Sequence, residues 1–348
     1  MPENARMKVT ANPTAAPQTP PAVAPRPHSR TSLARRLRLQ QLMVFEQVVE
    51  AGSILAASRA LSLTQPAVSK AIQELESQLG GLLFVRGKRG VVPTQLGTLV
   101  ERHAKTILGE LRYLAEDLNA AQSGSAGQVV IGTLITASGS LLPEAIRRLR
   151  RLAPDVVVTV RVGSNALLFP ALARGELDVV VGVLPDDSDP DAPGSEPLLH
   201  VPLYRESLCV VVGRQNPLAT RKRIGLAELH GADWIVPTRE SLAYPSVRAF
   251  FQKAGLSLPA RRTESVSILT NLELLNASDM VALMPQSAAQ RFDQAGSLVV
   301  LPIQGLGAFG VVGYTVRSDR EPTASTQVLL AALREAGAGL GQRLEGVA

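Results

Sequence analysis

A short joint at residues 122–127 divides this chain into two parts whose hydrophobic patterns differ. Its sequence, QSGSAG, combines glycine with small polar residues, which is typical of a flexible connection. Before the joint, apolar residues recur every three or four positions, and this spacing predicts helices. After it, runs of valine and leucine alternate with helical segments, which predicts βαβ units and a parallel sheet. The chain therefore contains domains of two different fold classes.

Charge follows the same division. Residues 1–126 hold 15 Lys and Arg against 9 Asp and Glu, whereas residues 127–348 hold 21 of each. The net charge of +6 lies entirely in the first third, where attraction of nucleic-acid phosphates is expected. The single cysteine, Cys209, excludes a disulfide framework, and four well-separated histidines exclude a two-histidine metal helix. We predict no cofactor and no metal.

Residues 1–36 are rich in proline and alanine and are predicted to form a disordered tail. Arg35, Arg36 and Arg38 close this segment, and two interpretations stay open: a solvated lead-in, or an arm that contacts DNA phosphates. The tail has no apolar signal core, and no apolar run reaches the roughly 18 residues of a membrane span. We expect a cytoplasmic protein, associated with the nucleoid and without a membrane partner.

Residues 37–94 carry the helical periodicity of a small, mainly α domain. Ser53 can cap a short helix over 54–61, and Thr64 can cap a longer helix that ends at Gly80. A short helix, a tight turn and a longer helix form a helix-turn-helix, whose second helix enters the major groove of DNA. On periodicity alone, a solvated surface helix remains the alternative.

The polar face of the longer helix, together with a predicted hairpin over 82–93 that has a basic tip, supplies the candidate DNA-binding residues. Gln and Ser side chains can hydrogen-bond to base edges, whereas Lys and Arg hold phosphates and set the register. Glu76 falls on the same polar face. The candidates are Thr64, Gln65, Pro66, Ser69, Lys70, Gln73, Arg86, Lys88 and Arg89.

A long helix is predicted over 95–121, with Thr94 as its cap. Its apolar residues recur three and four positions apart, close to the seam of a two-helix coiled coil. A helix with one apolar stripe between two domains has little of its own fold to pack against. We therefore predict that it pairs with the same helix of a second subunit. The stripe includes Ile107, Leu111, Leu114 and Leu118.

Small hydroxylated and amide side chains follow the predicted strands beyond the joint, where open α/β sheets bind ligands. Taken singly, each is explained by helix capping, whereas together they indicate a shared pocket for an anion or a polyol. The candidate effector-binding residues are Thr136, Ser138, Ser164, Asn165, Pro237, Thr238 and Ser267.

Two other motifs are given structural interpretations. Residues 305–310, GLGAFG, match a dinucleotide-binding pattern, but the sequence that follows predicts a strand where that motif needs a helix. Cys209 lies in an apolar strand, where a buried small hydrophobic side chain is expected. No nucleophile–base constellation is found, so we predict that the chain is not an enzyme.

Residues 39–97 resemble the winged helix-turn-helix of LysR-type transcriptional regulators. The paired alanines Ala56 and Ala57, TQPAVS at 64–69, and LFVR at 83–86 match the family pattern in register. Ile54 stands where the family often has phenylalanine. In layout, the rest is similar to a linker helix and a two-lobed, type II periplasmic-binding-protein-like sensor. The chain looks closest to the branch of galactose-binding-protein and protocatechuate-pathway regulators.

The resemblance implies a ligand-responsive regulator that binds operator DNA as a dimer or a tetramer and contacts RNA polymerase. Its effector would be a small metabolite, such as a sugar or an organic acid. A solute-binding protein for transport is the alternative, which the basic first third argues against. The implied domains are the tail (1–36), the winged helix-turn-helix domain (37–94), the linker helix (95–121), the hinge (122–127), effector lobe I (128–204 and 305–340) and α/β effector lobe II (205–304).

Overall fold

The computed structural model describes residues 28–87, 90–123, 127–185, 198–303 and 308–345. Contacts divide the chain into two compact units, Met1–Val100 and Glu101–Ala348. No helix in the described part of the chain is long and apolar enough to cross a membrane.

The described part of the first unit consists of helices and one hairpin, as predicted. Gly52 and Gly80 adopt left-handed conformations with φ of 60° and 73°, which end two of the helices. Gly87 pairs with Gly90 at the tip of the antiparallel hairpin. The elements are α1 (Arg30–Arg36), α2 (Leu39–Ala51), α3 (Ile54–Ala60), α4 (Gln65–Leu79), β1 (Phe84–Gly87), β2 (Gly90–Pro93) and the start of α5 (Gln95–Ser123).

An apolar core holds the first unit together. Phe45 is fully buried, and its ring centroid lies 5.2 Å from that of Phe84, so the second helix packs against the hairpin. The apolar face of α4 is buried against the two preceding helices, since Val68, Ile72 and Leu75 are at most 3% exposed. Burial of each such side chain contributes about 1.5–3 kcal/mol.

The prediction of a disordered tail up to residue 36 is wrong for its last part, because Arg30–Arg36 is a helix. Ser29 supplies the cap: its hydroxyl oxygen accepts a hydrogen bond from the backbone N–H of Ser32 at 3.1 Å. This stretch contains no proline, so the composition that argues against helix in the earlier residues does not extend to it. Residues 1–27 lie outside the described part of the chain.

The second unit is an α/β structure around one mixed sheet. Its strands are β3 (Gln128–Thr133), β4 (Val157–Val162), β5 (Val179–Val183), β6 (Leu198–Gly213), β7 (Trp234–Val236), β8 (Arg262–Glu264), β9 (Val281–Pro285), β10 (Leu298–Val300) and β11 (Ala308–Arg317). Its helices are α6 (Ile135–Ser138), α7 (Leu141–Leu152), α8 (Asn165–Ala173), α9 (Leu226–Leu229), α10 (Tyr244–Lys253), α11 (Ile268–Ala277), α12 (Gln286–Gln294) and α13 (Ala324–Glu345).

The strand order is β4-β3-β5-β11-β6-β9-β7-β8, and β10 pairs with β6. The first set (β3, β4, β5) and the second set (β7, β8, β9) are each parallel, and the first set confirms the predicted βαβ units. Between them, β6 and β11 run antiparallel to each other and to their outer neighbours. The carboxyl ends of both parallel sets consequently meet near the middle of β6.

Strand β6 joins the two sets, because its first part pairs with β11 and its second part pairs with β9. The change of partner falls between Ser207 and Leu208. The second part contains the apolar run SLCVVV at 207–212, which includes Cys209 and is typical of a strand. The first part contains His200, Arg205 and Glu206, whose polarity hides the strand pattern.

The second part of α5 packs on the second unit, which corrects the expectation that this helix has little of its own fold to contact. Arg112 binds the carboxylate of Asp178 at 2.8 Å, and the Tyr113 hydroxyl donates to the backbone oxygen of Leu177 at 3.1 Å. Gly109 permits the close approach, because a Cβ there would lie 2.7 Å from the backbone oxygen of Arg174. The predicted apolar stripe is on another face and stays exposed, with Leu114 at 54% and Leu118 at 50%.

Candidate DNA-binding surface and effector cleft

Helix α4 presents its polar side chains outward. Thr64 caps the helix by accepting a hydrogen bond from the N–H of Ala67 at 3.4 Å, and Pro66 occupies the first turn. Gln65 and Gln73 are exposed and Ser69 is half-buried. The Lys70 side chain is 78% exposed, with its ammonium 3.9 Å from Glu74. An exposed polar ridge of this kind is what a recognition helix needs.

Glu76 was placed on the same polar face by the sequence, but it has a structural contact instead. Its carboxylate accepts a hydrogen bond from the backbone N–H of Leu83 at 2.8 Å. It thereby ties the end of α4 to the chain that enters the hairpin. Glu76 is therefore not a candidate for contact with DNA.

The hairpin brings Arg86 opposite Val91 in register. Nothing is described of the Arg86 side chain, and Lys88 and Arg89 at the predicted basic tip lie outside the described residues. The exposed side chains of Val85 and Val92, which face each other across the two strands, are 61% and 66% exposed.

The carboxyl ends of the second parallel set border a cavity that opens to solvent, and Ile135 is the residue that the first set contributes to the described part of its wall. Ile135, directly after β3, lines it together with Pro237 after β7 and Ser265 after β8. The remaining wall is mainly aliphatic. Its location and its lining are those of a small-molecule site in an open α/β sheet. The lining also includes Leu208, Ile235, Val236, Ser241, Ala243, Val247, Val266, Ile268, Asn271, Leu283, Met284, Pro285 and Ala288.

The candidate effector residues are only partly brought together. Pro237 lines the cavity, whereas Ser267 caps α11 by accepting from the N–H of Thr270 at 3.3 Å. The Ser138 hydroxyl donates to the backbone oxygen of Ile135 at 2.7 Å, and Thr238 does not line the described cavity.

Two further candidates, Ser164 and Asn165, begin α8 away from this cavity, at the end of the edge strand β4. Nothing is described of the side chain of Thr136. Local hydrogen bonds account for the hydroxyl groups of Ser138 and Ser267. By contrast, Ser164 makes no side-chain capping bond, and the side-chain oxygen of Asn165 is buried without a hydrogen-bond partner among the described residues.

Sequence patterns did not indicate Asn271, which is part of the cavity wall. Its side-chain oxygen is buried and has no hydrogen-bond partner among the described residues. A buried polar atom without a partner costs free energy unless a ligand or water satisfies it. Asn271 lies in the first turn of α11, inside a run of leucines, and only its packing distinguishes it from an ordinary surface residue of a helix.

A second missed group lies behind the cavity. Glu206 on β6 is completely buried and accepts from the Ser287 hydroxyl at 2.5 Å and from the Ser287 N–H at 3.2 Å. The Ser287 hydroxyl is also 2.9 Å from that of Ser140, which precedes α7. Burial raises the pKa of the Glu206 carboxyl, and burial together with the nearby Glu206 raises the pKa of Tyr204. This polar chain joins the shared strand to elements of both sets.

Cys209 is buried, as predicted, with its thiol 3.5 Å from the backbone oxygen of Met284. Burial raises the pKa of this thiol to about 12, so the reactive thiolate is scarcely populated at neutral pH. The chain that follows the GLGAFG motif is the strand β11, as predicted, and residues 304–307 lie outside the described part of the chain.

Two family models match the chain. The model described as "Bacterial regulatory helix-turn-helix protein, lysR family" matches residues 39–98, and "LysR substrate binding domain" matches residues 122–338. The chain therefore belongs to the LysR family: it is a DNA-binding transcriptional regulator with an effector-binding domain, and not an enzyme. This confirms the family that the TQPAVS and LFVR segments predicted.

Individual relatives agree. The HTH-type transcriptional regulator GbpR of Azospirillum brasilense is 32% identical over 305 residues, which are 87% of this chain and 88% of GbpR. The regulator PcaQ of Agrobacterium fabrum is 30% identical over 306 residues, 88% of this chain and 97% of PcaQ. The crystal structure of full-length CbnR complexed with its target DNA has a TM-score of 0.64 at 21% identity, and covers 86% of this chain and 100% of CbnR. That structure has the same fold.

Proposed function

We propose that the protein binds operator DNA sequence-specifically through α4 and that a small metabolite in the cavity between the two strand sets changes this binding. The exposed polar face of α4, above a fully buried apolar face, is the observation that carries the proposal. Gln65 and Ser69 would contact base edges, whereas Lys70, Arg86, Lys88 and Arg89 would contact phosphates. Thr64, Pro66 and Gln73 complete the proposed surface.

The active form is a dimer, which the exposed stripe of α5 supports. Four apolar side chains of the predicted stripe are 37–54% exposed although they share one helix face. Pairing with a second copy removes this surface from water, and the gain is about 25 cal/mol for each Å² buried. Two copies of α4 then read two half-sites of a roughly palindromic operator. These four residues are Ile107, Leu111, Leu114 and Leu118.

Further association of dimers into a tetramer and contact with RNA polymerase complete the proposal. A protein that binds operator DNA would act in the cytoplasm, at the nucleoid. The proposed domain limits are those inferred from the sequence, with lobe I and lobe II meeting along β6.

The cavity wall supports a ligand that has an apolar body and at least one hydrogen-bond donor. Aliphatic side chains such as Val266 and Leu283 dominate the lining, and Asn271 offers a buried acceptor without a partner. A hydroxylated organic acid fits this wall better than a sugar, since its hydroxyl group can donate to Asn271. Its carboxylate would stay at the opening to solvent, because no lysine, arginine or histidine is among the described residues of the cavity wall. A sugar would leave most of its hydroxyl groups unpaired against aliphatic carbon. Binding would favour one arrangement of the two sets and so shift the population of DNA-binding states.

A gel shift tests the proposed DNA binding. The labelled probe is the intergenic DNA upstream of the protein's own gene, and a duplex of random sequence is the competitor. We expect a shift that random DNA does not displace and that weakens as salt rises. A shift that random DNA removes equally well would refute sequence-specific binding.

A thermal-shift panel of organic acids and sugars tests the proposed ligand class. A ligand present at 100 times its Kd stabilises the folded protein by about 2.7 kcal/mol, which raises Tm. We expect an organic acid to raise the Tm of the natural protein and to have a smaller effect on the variant Asn271→Leu. A sugar that acts alone, with the acids inert, would contradict the assignment of the ligand class.

A further inference from the structure

Helix α1 and the two residues that link it to α2, Leu37 and Arg38, form a strongly basic segment. Residues 28–45 contain Arg30, Arg35, Arg36 and Arg38 and no Asp or Glu. All four arginines are exposed. The helix-turn-helix family model begins only at residue 39, so this segment lies before the part of the chain that the family match covers.

These four arginines make no ion pair within the described residues, which sets them apart from many arginines of the second unit. Arg112, Arg148 and Arg317, for example, bind carboxylates at 2.7–2.8 Å. The two arginines in the last turn of α1 gain only the weak attraction of the helix dipole, and Arg30 lies at the opposite end of the helix, where a positive charge is not favoured. The concentration of charge is therefore accounted for better by an external anion than by the fold.

The basic segment adjoins the proposed recognition helix. Gln41, in the first turn of α2, donates from its side-chain nitrogen to the Glu74 carboxylate of α4 at 3.3 Å. Arg38 precedes Gln41 by three residues, about one helical turn, and its backbone N–H donates to the Gln41 side-chain oxygen at 3.2 Å. Arg38 thus lies one turn from a residue that contacts α4, on which Lys70 is also exposed, and α1 directly precedes Leu37 and Arg38 in the chain.

We propose that α1 and Arg38 form a phosphate-contacting arm that holds the backbone of duplex DNA beside the bases read by α4. This inference rests on the proposed function, since α4 must lie against DNA for the arm to reach it. Duplex DNA is the partner because its phosphates carry the opposite charge and because the arm adjoins the surface proposed to bind it. Phosphate contacts carry no base information, so the arm adds affinity without adding discrimination.

The test compares the salt dependence of DNA binding by the full-length protein and by the triple variant Arg30→Gln/Arg35→Gln/Arg36→Gln. Glutamine preserves helix propensity and removes only charge. The probe is a fluorescent 40-base-pair duplex of random sequence, measured by anisotropy between 50 and 200 mM NaCl. Each lost phosphate contact lowers the slope of log K against log salt by about 0.9. We expect the triple variant to lose about 2–3 in slope and at least tenfold in affinity at 100 mM salt.

The matched control is Arg151→Gln/Arg205→Gln/Arg223→Gln, which removes the same charge from exposed positions of the second unit. This control should keep the natural slope. Equal slopes for the natural protein and the α1 variant would overturn the arm, as would an equal loss in the control. If neither the natural protein nor the variants bind duplex DNA at all, the proposed function itself fails, so the two failures are distinguishable.

A second variant, Arg35→Glu/Arg36→Glu, guards against a loss that is due to unfolding. It should bind random DNA more weakly than the glutamine variant, with an unchanged far-ultraviolet circular dichroism spectrum. The ratio of affinities for the upstream intergenic probe and for random DNA should stay within about twofold of that of the natural protein, since phosphate contacts do not discriminate. A large fall in that ratio would contradict a phosphate-only contact.

Discussion

The exposed face of α4 and the cavity of the second unit are built in opposite ways. The candidate residues of α4, Thr64 to Gln73, lie within one helix and its cap, and most of them are exposed. The cavity wall combines segments that are about 150 residues apart, from Ile135 to Ala288, and much of it is buried. Side chains on α4 can therefore change without disturbing the fold, whereas polar groups in the second unit also hold it together.

The largest expected effect is on the second unit. Asp178→Ala removes the buried partner of Arg112 and the acceptor for the N–H of Val130 at 2.6 Å. Breaking a buried pair costs about 3–5 kcal/mol, and because Arg112 is 23% exposed we expect about 2–4 kcal/mol less free energy of unfolding. Urea denaturation measures it.

The control for Asp178 is Asp233→Ala, which breaks an exposed pair with Arg261 at 2.8 Å and should cost less than about 1 kcal/mol. Similar losses in the two variants would remove the contrast between buried and surface charges in this unit.

The next largest effect is expected on DNA binding by the exposed face of α4. Gln65→Ala should lower the ratio of operator to random-DNA affinity by about tenfold, because one base contact is worth about 1–3 kcal/mol. Since Gln65 is exposed, the melting temperature should not move. Lys70→Ala is the control, and it should weaken binding to both DNAs equally. A lower Tm for Gln65→Ala, without any change in discrimination, would mean that α4 is an ordinary surface helix.

A smaller effect on stability is expected for the hydroxyl groups that cap α4 and α11, one in each of the two regions. Thr64→Ala and Ser267→Ala should each lower the free energy of unfolding by about 0.5–1 kcal/mol, the low end for caps because both bonds are long, at 3.4 and 3.3 Å. Urea denaturation measures both. Calorimetry with a ligand from the thermal-shift panel then tests Ser267. Unchanged ligand affinity means that Ser267 only caps α11, and reduced affinity means that it also contacts the ligand.

The smallest expected effect is on how the free energy of unfolding changes with pH. Burial raises the pKa of Glu206 above its usual 4.5, so the folded protein binds this proton more tightly than the unfolded chain does. The resulting stabilisation is present below pH 4.5 and is lost as pH rises through the folded-state pKa. In Glu206→Gln this loss should be absent. Parallel stability curves for the natural protein and this variant, from acid to neutral pH, would show that Glu206 does not titrate with folding.

Local sequence information determined most of the helix boundaries and buried faces of the first unit. Helix caps such as Ser53 and Thr64, the terminating Gly80 and the spacing of Val68, Ile72 and Leu75 act within a few residues, so the helix-turn-helix and its exposed polar face could be predicted. The alternation of strands and helices after residue 127 likewise predicted an α/β layer. Motifs in register predicted the family.

Only the tertiary structure decided which groups share a site in the second unit. Strand β6 changes partners between Ser207 and Leu208, and this crossing brings Ile135 and Asn271 to one cavity although no short-range pattern links them. It also buries Glu206 against Ser287, far along the chain. Helix periodicity and capping depend on neighbours in sequence, whereas a cleft depends on long-range strand pairing, which a single sequence does not display.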